Sequence, residues 1–112
     1  MTLDITQEKE ISIVMIPQRF DAATAPGTEA GLKDFLAGSS VKKLILDFSR
    51  TEYVASAGLK VVLVITRDLM KSGGRVVRAG LTPAVLRVFE MAGFTSIFSI
   101  SASREEAVRQ LS

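Results

Sequence analysis

Short apolar runs alternate with polar breaks along the chain, at spacings that predict a succession of strands and helices. Leu3 and Ile5 alternate with Asp4 and Thr6, the two-residue period of a strand with one wet face. After Glu8-Lys9-Glu10, the run Ile11-Ser12-Ile13-Val14-Met15-Ile16 is more continuously apolar, as an inner strand requires, and Pro17 ends it. Together the two predict an antiparallel hairpin. Thr24-Ala25-Pro26 offers a capping hydroxyl and a first-turn proline to a helix that turns Ala30, Leu32, Phe35 and Leu36 inwards and closes at Gly38-Ser39-Ser40. Leu44-Ile45-Leu46-Asp47-Phe48 reads as a short strand covered on both faces.

The run Leu59 to Ile65 is rich in β-branched residues, so local propensity alone permits a strand. Its flanks and period favour a helix. Ser56 is a good N-cap, Ser72-Gly73-Gly74 a good stop, and Leu59, Val62, Leu63, Ile65, Thr66, Leu69 and Met70 fill one broad arc at 100° per residue. A strand follows near Arg75 to Ala79, then a helix capped by Thr82-Pro83 and ended by Ala92-Gly93. An extended segment is predicted near Ile97-Phe98-Ser99, and the capping box Ser103-Arg104-Glu105-Glu106 opens the final helix. The order ββαβαβαβα makes the fold α/β: a mixed sheet of about four to five strands, begun by the hairpin, with about four helices packed against it. No repeat or linker-like stretch divides residues 1–112, which read as a single domain.

Composition removes most enzyme chemistry. The chain has no Cys, no His and no Trp. Thiol nucleophiles, disulfides, the usual zinc ligand sets and a Ser-His-Asp triad are therefore excluded, and neither a metal nor a cofactor is expected. The longest apolar run, Val61 to Ile65, is too short to cross a bilayer. Acidic Asp4, Glu8 and Glu10 stand where a signal peptide would carry Lys or Arg, so the chain reads as cytoplasmic, without direct membrane insertion. The net charge of +2 is too small to imply nucleic acid, but it is unevenly spread. Residues 42–87 carry 9 basic and 3 acidic groups, and residues 1–41 carry 3 basic and 6 acidic. A basic middle either steers an acidic partner to one surface or simply solvates the core.

The segment Leu44 to Leu59 runs from strand through loop to a helix whose first residues, Ser56, Ala57 and Gly58, are small. Such an entrance leaves a hydroxyl and unpaired N–H groups open to an approaching group, and the helix dipole favours negative charge there. The plainer reading makes Ser56 an N-cap, with Ala57 and Gly58 small for packing. On the same helix, Lys60, Arg67 and Lys71 form a stripe with Val64 between them and Val61 at its edge, either a partner-binding surface or a solvated face. Tyr53 reads as a core or loop anchor, Met70 and Met91 as core filler, and Arg75 and Arg78 as edge charges.

Asp47-Phe48-Ser49 followed by Tyr53-Val54-Ala55-Ser56-Ala57-Gly58-Leu59 resembles the signature of STAS domains, the sulfate-transporter and anti-sigma-antagonist family. Phe20-Asp21-Ala22-Ala23-Thr24-Ala25 resembles the family's turn into its first helix. Ser72-Gly73-Gly74, Arg78-Ala79-Gly80-Leu81 and Ala92-Gly93-Phe94 also fall where that family places them. The resemblance to bacterial anti-sigma factor antagonists implies that Ser56 is phosphorylated by a partner that is both ATP-binding serine kinase and anti-sigma factor. It implies capture of that partner by the unphosphorylated form, release on phosphorylation and reversal by a serine phosphatase. It places Asp21 beside the site with Ala55, Ala57 and Gly58, and it implies no catalysis by the chain itself. Ala55 stands where the family often has an acid, and Gln18 where it often has Gly. The same resemblance also admits a STAS subunit of a transporter or lipid-trafficking ABC-type complex, which needs no phosphorylation. A Ser56 nucleophile assisted by Asp21 lacks an obvious base and oxyanion pocket.

Overall fold

In the computed structural model, which describes residues 3–112, the predicted hairpin forms between β1 (Asp4–Glu8) and β2 (Ile11–Met15). To it are added, all parallel, β4 (Lys43–Asp47), β6 (Arg75–Ala79) and β7 (Ile100–Ser101), in the order β1-β2-β4-β6-β7. The mixed five-stranded sheet carries α1 (Ala25–Ala37), α2 (Ser56–Lys71), α3 (Pro83–Met91) and α4 (Arg104–Leu111). A separate two-stranded parallel ribbon, β3 (Arg19–Phe20) with β5 (Tyr53–Val54), lies outside the predicted order. Two residues per strand leave no apolar period to read.

Strand alternation divides the interior in two. Val14, Leu44, Leu46 and Val76 join the cluster that holds Leu32 of α1, Val61, Val62, Ile65 and Leu69 of α2, and Phe89 of α3. Ile11, Ile13, Ile45, Val77 and Ala79 face the other way and meet Ala107, Val108 and Leu111 of α4. The central strands are therefore covered on both faces, as their continuous apolar runs require.

Helix α2 settles the ambiguous run. Its buried residues Gly58, Val61, Val62, Ile65, Thr66 and Leu69 recur at helical spacing. Its end is fixed by two bonds, Gly74 N–H to the Leu69 carbonyl at 2.8 Å and Gly73 N–H to the Met70 carbonyl at 3.0 Å. Gly73 takes the left-handed conformation this arrangement demands, φ +86°. The capping box of α4 also forms, with Glu106 N–H donating to Ser103 Oγ at 3.2 Å. In return, the N–H of Ala102, one residue before the cap, donates to Glu106 Oε2 at 3.3 Å.

Several expectations are corrected. The extended segment lies at Ile100–Ser101, because Phe94–Ser96 form a single 3-10 turn that delays the strand. Val61 is buried in the core and belongs to no exposed stripe. Of the α1 residues expected to face inwards, Leu32 is buried but Ala30 is exposed, and the helix also buries Ala25 and Thr28. Tyr53, Met70 and Met91 are exposed, whereas Arg78 is only 1% exposed, beneath α2 and not at an edge.

The first turn of α2 sits directly on the ribbon. A β-carbon at Gly58 would lie 2.6 Å from the Phe20 carbonyl oxygen and 2.7 Å from its ring. Because a backbone atom is in the way, Gly58→Ala should destabilise the fold by about 1–3 kcal/mol, the usual cost of overpacking. A lowered urea midpoint with an unchanged slope would show it.

Candidate functional site at the start of helix α2

Ribbon and helix start are built together. Parallel pairing sets Phe20 opposite Val54, and Ala55 N–H donates to the Phe20 carbonyl at 3.0 Å. By that register Asp21 stands level with Ala55, one residue before Ser56.

The cap position belongs to Ala55, not Ser56. Ala55 is extended at φ −104°, ψ 175°, and its carbonyl accepts from Gly58 N–H at 2.9 Å and Leu59 N–H at 3.1 Å. Ser56 is the first helical residue and is exposed, with no hydrogen bond from its side chain among the described residues. Because alanine supplies no side-chain acceptor, the first N–H groups of α2 receive no cap. The structure therefore presents a free hydroxyl beside uncapped donors. Such donors at a helix start favour a negative group placed on that hydroxyl. Ala57 is half-buried and Gly58 buried, so neither screens Ser56.

Asp21 is held by its own turn. Its Oδ1 accepts from Ala23 N–H at 3.1 Å and Thr24 N–H at 3.3 Å, while Oδ2 pairs with Arg19 at 3.4 Å. Partial burial pushes the carboxyl up, but the two backbone donors and the Arg19 guanidinium outweigh it and leave its pKa below the ordinary 3.8. Arg19 also lies over the Tyr53 ring, 4.7 Å from its centroid. On the same ribbon the Gln18 side-chain amide donates to the Glu52 carboxylate. Both Gln18 and Glu52 are exposed.

Beyond Ser56, α2 exposes Lys60, Arg67 and Lys71 and half-buries Val64, so the stripe consists of those four residues. At the carboxyl ends of β2 and β4 lies an open cleft of about 650 Å³, reached by Gln18, Thr28, Thr51, Glu52 and Thr82 but not by Ser56.

The loop leading to the site is anchored by a contact that the sequence reading passed over. Asp47 is 3% exposed at the end of β4. Its Oδ1 accepts from Ser49 N–H at 2.8 Å, and its Oδ2 pairs with Arg104 of α4 at 2.8 Å. The sign of this in the sequence is a carboxylate that follows the apolar run Leu44-Ile45-Leu46. Among the described residues no group of His, Cys, Asp and Glu is arranged to hold a metal. No helix there is long and apolar enough to cross a membrane.

Because the folded pKa of Asp21 is depressed, its ionised form stabilises the fold above the unfolded value. That contribution disappears as pH falls through the lower folded value. Asp21→Asn should therefore lose less stability than the parent between about pH 6 and pH 2.5 in urea titrations. Equal losses would show that Asp21 contributes nothing to the acid response. Asp47→Asn should cost up to about 3 kcal/mol, the low end for a buried pair, since Arg104 keeps some contact with water.

Comparison with known proteins gives this geometry a context. The family model described as STAS domain matches residues 2–107. BtrV of Bordetella bronchiseptica, whose name marks it as a candidate anti-sigma factor antagonist, is 44% identical over 66 residues. That match covers 59% of this chain and 57% of BtrV, little more than half of the relative. An anti-sigma factor antagonist from Mycobacterium paratuberculosis has a similar structure, with TM-score 0.85 and 26% identity, covering 98% of this chain and 92% of the other. The Bacillus cell fate determinant SpoIIAA, in its phosphorylated form, gives TM-score 0.76 at 20% identity over 99% of this chain and 100% of its own. The five-stranded sheet, the ribbon and the small-residue start of α2 all fall within the matched residues, and this chain belongs to the STAS domain family.

Proposed function

We propose that the chain is an anti-sigma factor antagonist, a binding module of the cytoplasm switched by phosphorylation of Ser56. The observation that carries this reading is the exposed Ser56 hydroxyl at the uncapped start of α2, without a hydrogen bond among the described residues. The names of BtrV and of the mycobacterial protein support the same role. SpoIIAA, which shares the fold, has been solved both phosphorylated and unphosphorylated.

The partner is an ATP-binding anti-sigma factor with serine kinase activity. It is captured along Ser56, Ala57 and the stripe of Lys60, Val64 and Arg67, and a serine phosphatase resets the switch. Phosphorylation adds about −1.5 to −2 charge and three acceptor oxygens where a neutral hydroxyl stood. Against a closely fitting partner that imposes a steric and desolvation penalty, and Asp21 adds repulsion. The domain itself tolerates the group, because the uncapped donors of α2 face it. The switch therefore acts at the interface and leaves the fold unchanged.

In a pull-down from the source cells, Ser56→Ala should retain an ATP-binding kinase that Ser56→Asp loses. Capture of the same partner by both baits would remove Ser56 from the mechanism and favour the transporter-subunit reading, which Ala55 also suits. Amide spectra of Ser56→Asp should change only around the helix start and the ribbon. Lys60→Glu and Arg67→Glu should each weaken the complex by roughly tenfold without lowering the urea midpoint, as expected of exposed charges.

A further inference from the structure

The far end of α2 carries a second feature, which shares only Arg67 with the partner-binding stripe. Arg78 points from β6 into the interior beneath α2, yet none of the ion pairs among the described residues includes it. Its Nε donates to the Ser99 carbonyl at 3.1 Å, and one terminal nitrogen donates to Thr66 Oγ1 at 3.0 Å. The Phe98 ring covers the guanidinium at 4.3 Å. The other terminal nitrogen has no acceptor among the described residues. Since no fully enclosed side-chain nitrogen there lacks a partner, it keeps contact with the space outside. Burial lowers the guanidinium pKa to about 10, so the group remains charged at neutral pH without a counter-charge.

That space is a groove of about 390 Å³ between α2 and the segment 97–99. Leu63, Met70, Ile97 and Phe98 supply an apolar part of its walls, with Met70 63% and Ile97 64% exposed at the lips. Arg67 and Arg75 join Arg78 in the lining, and no Asp or Glu does. The volume is that of a small-molecule site. Thr66, while accepting from Arg78, keeps its own hydroxyl proton as a donor. A carboxylate is the anion that one free guanidinium nitrogen and one hydroxyl would hold, and an aliphatic body would cover Leu63, Met70 and Ile97.

We infer that this groove binds a small amphipathic monocarboxylate, its head on Arg78 and Thr66 and its hydrocarbon body along α2. Thr66 and Met70 lie ten and fourteen residues beyond Ser56, about 15–21 Å along the helix, so the groove is separate from the phosphorylation end.

The test uses octanoate as probe and octanol as its neutral counterpart, titrated into the full chain and read by amide NMR. Octanoate should produce saturable shifts confined to the groove segments around Thr66, Met70, Arg78 and Ile97–Ser99. Octanol should bind at least tenfold more weakly, and Arg78→Gln should erase that difference. Should Arg78→Gln fail to fold, Ile97→Glu at the exposed lip should lower octanoate affinity at least tenfold. Equal binding of octanol, shifts elsewhere or an unaffected Ile97→Glu would overturn the assignment. So would groove resonances that depend on protein concentration without ligand, which would assign the groove to a second copy of the chain.

Discussion

The first turn of α2 rests on the backbone of Phe20 with no space for a β-carbon at Gly58, and the surroundings of Ser56 depend on that contact. It brings the two-residue strands β3 and β5 into register and so sets Asp21 level with Ala55. A larger residue at position 58 would lift the helix from the ribbon. Two strands of two residues each have little stability of their own, so the helix and the ribbon hold each other in place.

A second anchor works from the opposite side of the sheet. Asp47 ends β4 inside the protein and is neutralised by Arg104, the first residue of α4. Its other oxygen accepts from Ser49 N–H and shapes the start of the loop that leads to β5. A carboxylate buried at the end of an apolar strand would be costly alone. Paired and hydrogen-bonded, it ties the back helix to the loop that feeds the front site. The rigidity of the Ser56 environment is therefore shared between both layers of the fold.

The two ends of α2 present opposite chemistry. At the start, uncapped N–H groups stand beside an exposed hydroxyl. Towards the end, a buried guanidinium has no ion-pair partner among the described residues and lines a groove with apolar lips. The chain of edge-to-face ring contacts Phe48, Phe89, Phe94 and Phe98 continues the core to that groove, which explains how an arginine is enclosed there. Cation–π contact and two hydrogen bonds offset part of the cost of enclosing it.

What the sequence determined by itself is whatever short-range geometry dictates. The 3.6-residue recurrence in α2, its Ser-Gly-Gly stop, the capping box of α4 and the apolar runs within β2 and β4 each need only neighbours a few residues away. The same holds for the small residues that open α2 and for the absence of His and Cys. Which positions are covered was decided by tertiary structure, because it depends on elements distant in sequence. Val61 is buried because α2 turns it towards the sheet, while Met70 and Met91 stay outside because no element crosses them. Arg78 reads as an edge charge until β7 and Phe98 close over it. Ser56 lost the cap position to Ala55 when the pairing of β5 with β3 kept Ala55 extended, a contact between residues more than thirty positions apart.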